Sequence, residues 1–328
     1  FARGQGPIFE INRRRARAMI ANGKGDPRFS IISQLSTFIF KFGASQFRAR
    51  EKPWTVTFKG ESGIDVGGPA RELLVEASTS IFETTSQLMV QVDASTKGES
   101  RFYYVPNEKA LDKSKEFYTI GVLIGIIIRT GLLQDLPFAP IVWKAIAGEA
   151  ITDDDVFESD RLFRESFREI NNNFKSLTRL NSTNQLKSEA NSNEVSNINI
   201  NKTWTVECWN GNKVGLPGRN SQALVEPSQL IQYQRDCLTF RKRSIKKMLD
   251  SMRNGFVDNT DVRNHYLMKG SLLSRLAQGS GKITIEQMKA ITDVNGFPEG
   301  KNNTYIKRFW NAVSRFNDDE MKLLFKFI

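Results

Sequence analysis

Histidine and cysteine are scarce in this sequence of 328 residues. The chain has a single histidine, His265. This argues against a histidine-based metal site and against a Ser-His-Asp triad. Two cysteines, Cys208 and Cys237, are too few for a disulfide framework and favour a reducing compartment. We therefore expect neither a metal nor a cofactor, and a cytoplasmic location, with the nucleus as the alternative.

Long apolar runs are also missing. The most apolar stretch covers residues 120–128 and ends at Arg129, well short of the roughly 18 residues that a membrane span needs. This stretch is typical of a buried helix. We expect a soluble protein without a membrane partner.

Acidic residues are outnumbered, since 47 Lys and Arg face 36 Asp and Glu, for a net charge of +11. Such an excess is consistent with binding to nucleic acid or to an acidic membrane. The densest basic runs, at 13–17 and 241–247, alternate with apolar residues at helical spacing, so we predict solvated helix faces there. No nucleic-acid-binding motif accompanies the charge, and we expect no nucleic-acid partner.

Apolar periodicity predicts a mainly helical chain with small β-sheets, an α+β fold. Thr152 and Asp155 form a capping-type helix start. Residues 171–203 are rich in Asn and Ser, and we predict a loop there. The main predicted helices lie at 13–21, 30–42, 116–130, 139–147, 227–256, 283–291 and 305–316, and the strands at 8–11, 54–58 and 204–208.

A glycine-rich motif follows the strand at 54–58 and precedes a helix that begins near residue 70. Its glycines permit a sharp turn. The structural residues that we single out are Asp65, Gly67, Gly68, Arg71 and Glu72. Asp65 is predicted to accept backbone N–H groups, and Arg71 and Glu72 to tie the helix start to its neighbours. A phosphate-binding loop is the alternative, but the spacings such loops need are missing.

Residues 54–72 resemble the signature of HECT domains, in which a strand runs into F-x-G-E-x-G-x-D-x-G-G-x-x-R-E. Residues 117–144 are similar to a second HECT block, with glycines at 121 and 125 and Trp143-Lys144 at its end. We predict that Gly121 and Gly125 let two helices approach closely. Residues 306–327 are similar to the first helices of the family's C-terminal lobe. Details of the second block favour the large HERC-type members.

The resemblance implies a two-lobed ubiquitin-protein ligase. Residues 1–292 would form the N-lobe, with a small subdomain at about 151–226 that binds a ubiquitin-conjugating enzyme. Residues 293–303 would form the hinge, with Gly296, Pro298 and Gly300 as its key residues, and residues 304–328 the start of the C-lobe. The implied partners are the conjugating enzyme, ubiquitin and protein substrates.

The family transfers ubiquitin through a cysteine thioester to a substrate lysine. That cysteine occurs in a T-C-F context, which neither Cys208 nor Cys237 matches, so we expect it beyond Ile328 and no thioester on this chain. Basic neighbours of Cys237 could lower its pKa, but a buried thiol is the favoured interpretation.

The resemblance also suggests the docking residues. Phe163, Phe167 and Ile170 share one helical face, with Leu162 and Phe174 at its edge. Because arginines flank this stripe, we predict that Phe163 and Phe167 are partly exposed, and that Phe167→Ala weakens docking without a loss of stability. The alternative is that the stripe belongs to the core.

Three functions remain open at this point. The first is a ubiquitin-transfer domain, and the second is a non-catalytic module that binds a conjugating enzyme or substrate. The third and weakest is nucleic-acid binding, which a salt-dependent gel shift would detect. The encoded sequence after Ile328 would separate the first two.

Overall fold

The computed structural model describes residues 6–23, 26–61, 68–92, 103–185, 202–261, 268–279 and 284–317, together with 320, 321 and 324. The chain divides into two compact units, Phe1–Gly279 and Ser280–Ile328. The division therefore falls before the predicted lobe boundary at residue 292.

Helices dominate the first unit, as the sequence predicts. They are α1 (Arg13–Ala21), α2 (Ile31–Phe42), α3 (Gly68–Ser80), α4 (Ser114–Thr130), α5 (Pro140–Ala147), α6 (Asp153–Ser159), α7 (Arg161–Gln185), α8 (Leu230–Thr260) and α9 (Gly270–Gln278). The strands are β1 (Ile8–Ile11), β2 (Thr55–Phe58), β3 (Met89–Gln91), β4 (Tyr104–Pro106), β5 (Thr205–Glu207) and β6 (Lys213–Gly215). The prediction of a mainly α fold with small sheets is confirmed.

The strands pair two by two. Strands β1 and β2 run parallel with Ile8 opposite Thr55, whereas β3–β4 and β5–β6 are antiparallel. Alternate residues of β1 and β2 face the core, including Phe9 and Val56, as the period of two along a strand requires. The sequence predicted β1, β2 and β5 and missed β3, β4, β6 and α9.

The core of the first unit is built where α4 crosses α8. A Cβ atom at Gly121 would lie 1.8 Å from the carbonyl oxygen of Met252, and one at Gly255 would lie 1.9 Å from that of Tyr118. The two backbones therefore touch directly at this crossing. The prediction that Gly121 and Gly125 permit close helix packing is confirmed, because a Cβ at Gly125 would also collide with Asn259.

The glycine-rich motif is described only in part, since Asp65 and Gly67 lie outside the described residues. Gly68 begins α3, and the exposed Arg71 lies in its first turn. Glu72 pairs with Arg13 of α1 at 2.6 Å, which is a contact between the start of α3 and a neighbouring helix.

Two arginines of the basic runs are not solvated, which corrects the prediction. Arg13 is buried and forms ion pairs with three carboxylates, those of Glu61, Glu72 and Glu76. Arg241 of α8 is buried as well. Charge counted along the chain does not show which basic side chains the fold covers.

Helix α7 is longer than the sequence predicts. It continues to Gln185, so the loop predicted from residue 171 is wrong over 171–185, and residues 186–201 lie outside the described residues. The apolar spacing of Phe163, Phe167, Ile170 and Phe174 carries the helix past the start of the Asn-rich segment.

The second unit contains α10 (Ile285–Ile291) and α11 (Thr304–Val313). Asn317 and Glu320 exchange side chain to backbone hydrogen bonds of 2.9 Å, the arrangement of a capping box. Between α10 and α11, Gly296 and Gly300 have φ values of +82° and +54°. The predicted hinge residues thus lie inside this unit, and their role as a hinge stays a prediction.

The described ranges contain neither a helix that could span a membrane nor a group of side chains that could hold a metal ion. Their helices include none with the length and hydropathy of a membrane span. Their His, Cys, Asp and Glu side chains form no group of three that could hold a metal ion.

Candidate functional site

The predicted small subdomain, residues 151–226, begins with a well-capped helix. Thr152 and Asp155 form the predicted capping box at the start of α6, with the Thr152 N–H donating to Asp155 at 2.7 Å. Lys144 of α5 donates to the other oxygen of Asp155 at 2.6 Å. Burial disfavours the charged carboxylate, but these hydrogen bonds outweigh burial and hold the pKa of Asp155 below its ordinary value. This network attaches α6 to α5.

The aromatic stripe of α7 is part of the core, which corrects the exposure predicted from the sequence. Phe163 and Phe167 are 7% exposed and Ile170 is 6% exposed. Phe157 of α6 covers them, with ring centroids 5.5 Å from Phe167 and 6.2 Å from Phe163. The arginines that flank the stripe, at 161, 164 and 168, are exposed. They mark the solvent side of an ordinary amphipathic helix.

The predicted subdomain has accessible apolar side chains on α6 and α7 and also at Leu224, which is 55% exposed. Leu162 is 43% exposed, whereas Phe157 and Phe174 are half-buried. Leu162, Ser166 and Asn173 follow one another at helical spacing along the edge of the stripe. Of the five predicted docking residues, Leu162 is therefore exposed, Phe174 is half-buried, and the other three are buried.

The β5–β6 hairpin lies in the other part of the predicted small subdomain. In its turn, the Cys208 N–H donates to the Asn212 carbonyl at 2.7 Å and Gly211 has a φ of +80°. Tyr233 of α8 donates its hydroxyl to the Thr205 carbonyl at 3.0 Å. The hairpin is thereby fixed to the long helix.

Arg241 connects these parts, although the sequence did not predict this role. The guanidinium pairs with Asp160 and donates to the Glu207 carbonyl at 2.9 Å. It also lies 3.7 Å from the centre of the Trp209 ring and 4.6 Å from that of Phe163. The helical spacing does predict that Arg241 is buried, because it lies on the buried face of α8. That face includes Tyr233, Cys237, Ile245, Met252 and Phe256.

Both cysteines are buried in the first unit. Burial is the main cause that raises the pKa of Cys237 to about 12 and that of Cys208 to about 12. At neutral pH both are therefore thiols rather than reactive thiolates. The favoured interpretation of Cys237 as a buried thiol is confirmed, and a pKa lowered by its basic neighbours is wrong.

The described structure is thus a helical body that holds the β5–β6 hairpin against α8 and buries both cysteines. The profile of the HECT-domain (ubiquitin-transferase) family matches residues 75–328. The chain belongs to the HECT-domain family.

Named relatives agree with this assignment. The chain is 25% identical over 333 residues to the human E3 ubiquitin-protein ligase HERC2, covering 99% of the chain and 6% of that protein. It is 22% identical to the probable E3 ubiquitin-protein ligase HUL4 of Eremothecium gossypii, over 87% of the chain and 33% of the relative. It is 26% identical to the E3 ubiquitin-protein ligase TOM1 of Saccharomyces cerevisiae, over 83% of the chain and 8% of the relative. The chain thus spans at most a third of the length of these three relatives.

Proposed function

We propose that this chain is the part of a HECT-type ubiquitin-protein ligase that docks a ubiquitin-conjugating enzyme. In the whole protein, ubiquitin would then pass through a cysteine thioester to substrate lysines. The observation that carries the proposal is the family match over residues 75–328, which includes the entire small subdomain. The partners would be the conjugating enzyme, ubiquitin and protein substrates.

The chemistry of the two cysteines supports a docking role for this chain. A residue that accepts ubiquitin must present a thiolate to an incoming thioester. Cys208 and Cys237 are buried, and each has its pKa raised to about 12. The acceptor would be a cysteine other than these two.

The docking surface that we propose is the accessible edge of α7. Leu162 offers exposed apolar area, and half-buried Phe174 lies three turns further along the helix. Beside Leu162 on the same helix, Phe163, Phe167 and Ile170 are buried, and the rings of Phe163 and Phe167 contact each other with centroids 4.7 Å apart. An exposed apolar side chain on a rigid support is the arrangement that binding hot spots favour.

The experiment is a titration of purified conjugating enzymes against the wild-type chain and two variants. Leu162→Ala should weaken binding by about 1 kcal/mol, roughly fivefold, with a nearly unchanged Tm, because this side chain is 43% exposed. Phe167→Ala should instead lower the free energy of unfolding by about 3–5 kcal/mol, as expected for a buried aromatic side chain.

Val75→Ala is the matched control, since Val75 is 51% exposed on α3 and lies outside the small subdomain. It should leave both the affinity and the Tm unchanged. Equal affinities for wild type, Leu162→Ala and Val75→Ala would show that the docking surface lies elsewhere. Absence of binding to every enzyme in the panel would contradict the docking proposal itself.

A further inference from the structure

Arg241 is a charged side chain with 0% exposure in the middle of α8. Among the described residues, its ion-pair, hydrogen-bond and ring contacts beyond α8 belong to the small subdomain: they are Asp160, Phe163, Glu207 and Trp209. Through this one side chain, the long helix α8 therefore contacts several parts of that subdomain.

Stability alone does not account for this arrangement. Buried ion pairs contribute little net stability, because the desolvation of both charges offsets their attraction. The Nε atom of Arg241 is also buried without a hydrogen-bond partner among the described residues, which adds a further cost. A rigid planar guanidinium does, however, fix the directions of the groups that it contacts.

Those groups belong to separate segments. Asp160 caps the start of α7, where it accepts the Phe163 N–H at 3.0 Å. Glu207 ends β5, and Trp209 lies in the turn that follows and donates its indole N–H to the Arg241 carbonyl at 3.0 Å. One side chain thus fixes both the start of α7 and the β5–β6 hairpin to the same position on α8.

We propose that Arg241 is a positioning residue that holds α7 and the hairpin in the relative orientation a conjugating enzyme recognises. This inference rests on the proposed function, since it requires the docking surface to lie on α7. Arg241 itself is buried and would act through Asp160, Phe163 and Trp209 rather than by touching the enzyme.

A double variant separates orientation from stability. The double variant Asp160→Asn with Arg241→Met leaves no unpaired buried charge, and Asn at residue 160 can still cap α7. The Tm of this double variant should therefore stay close to that of wild type. Its affinity for the conjugating enzyme that binds wild type most tightly should fall about tenfold. Wild-type affinity in this double variant would overturn the proposal. Arg243→Met, the same change at an exposed position two residues away, is the matched control and should bind normally.

Arg241→Lys decides the question if the double variant does not fold. Lysine keeps the charge opposite Asp160 but lacks the planar fork that also reaches the Glu207 carbonyl. We expect faster amide hydrogen exchange over residues 161–175, unchanged exchange in α4, and about fivefold weaker binding. Exchange and affinity at wild-type values would overturn the proposal. If the wild-type chain binds no conjugating enzyme, the docking function fails, whereas the exchange data still test the positioning by Arg241.

Discussion

The crossing of α4 and α8 gives the sharpest prediction about stability. In Gly121→Ala, the new methyl group would lie 1.8 Å from the Met252 carbonyl oxygen and 2.7 Å from the Phe256 nitrogen. Both obstacles are backbone atoms, so rotation of a side chain cannot relieve the collision. Ordinary carbon contacts of about 3.5 Å would require the helices to separate by roughly 1.5–2 Å.

The energies can be compared directly. Overpacking against a backbone should cost about 3 kcal/mol, whereas alanine gains about 1 kcal/mol over glycine in helix propensity. We expect a net loss of about 2 kcal/mol in the free energy of unfolding, seen as a Tm about 4–8 °C lower. Gly255→Ala should behave alike, because its methyl group would lie 1.9 Å from the Tyr118 carbonyl oxygen.

Thermal melts followed by circular dichroism provide the assay. The matched control is Gly68→Ala at the start of α3, where nothing lies within 4 Å of the added methyl group. This variant should be as stable as wild type or slightly more stable. A Gly121→Ala variant that melts with or above wild type would refute the direct contact of the two backbones.

Two further predictions concern titratable groups. The pKa of Asp155 is lowered in the folded chain, so its contribution to stability is present above the ordinary aspartate pKa of about 3.9 and is lost as the pH falls through the lowered value. The stability difference between wild type and Asp155→Asn in urea should therefore shrink from pH 7 to pH 3, and a constant difference would contradict this. Cys208 and Cys237 should both resist a thiol reagent at pH 8 in the folded chain, react after unfolding, and form no ubiquitin thioester. Rapid reaction of either thiol in the folded chain, or an adduct sensitive to reducing agent, would show that the thiols are accessible.

Local patterns in the sequence predicted much of the fold. Helical spacing located α2 and α8, and the two glycines at 121 and 125 predicted the close crossing that the structure contains. Strands β3 and β4 were missed because the apolar residues around them, at 88–90 and 102–105, are consecutive and do not alternate with polar residues as those around β5 do. Their pairing depends on contacts between distant parts of the chain.

The candidate site was less predictable, for a physical reason. Periodicity shows that Phe163 and Phe167 share a face, but it does not show what covers that face. In the structure Phe157 of α6 covers it, and Arg241 of α8 contacts Phe163 from another helix. Exposure is set by such tertiary contacts, so a binding stripe and a core stripe look alike in the sequence. The arginine was overlooked because its charge suggested solvent, although its spacing placed it on the buried face of α8.

The central claim is that a conjugating enzyme docks on the small subdomain, and amide hydrogen exchange tests it most directly. The wild-type chain would be compared with and without a saturating conjugating enzyme. We expect slower exchange in residues 161–175 of α7 when the enzyme is bound, with unchanged exchange in α2 as an internal control. Unchanged exchange in residues 161–175, with protection confined to other helices of a saturated complex, would contradict it.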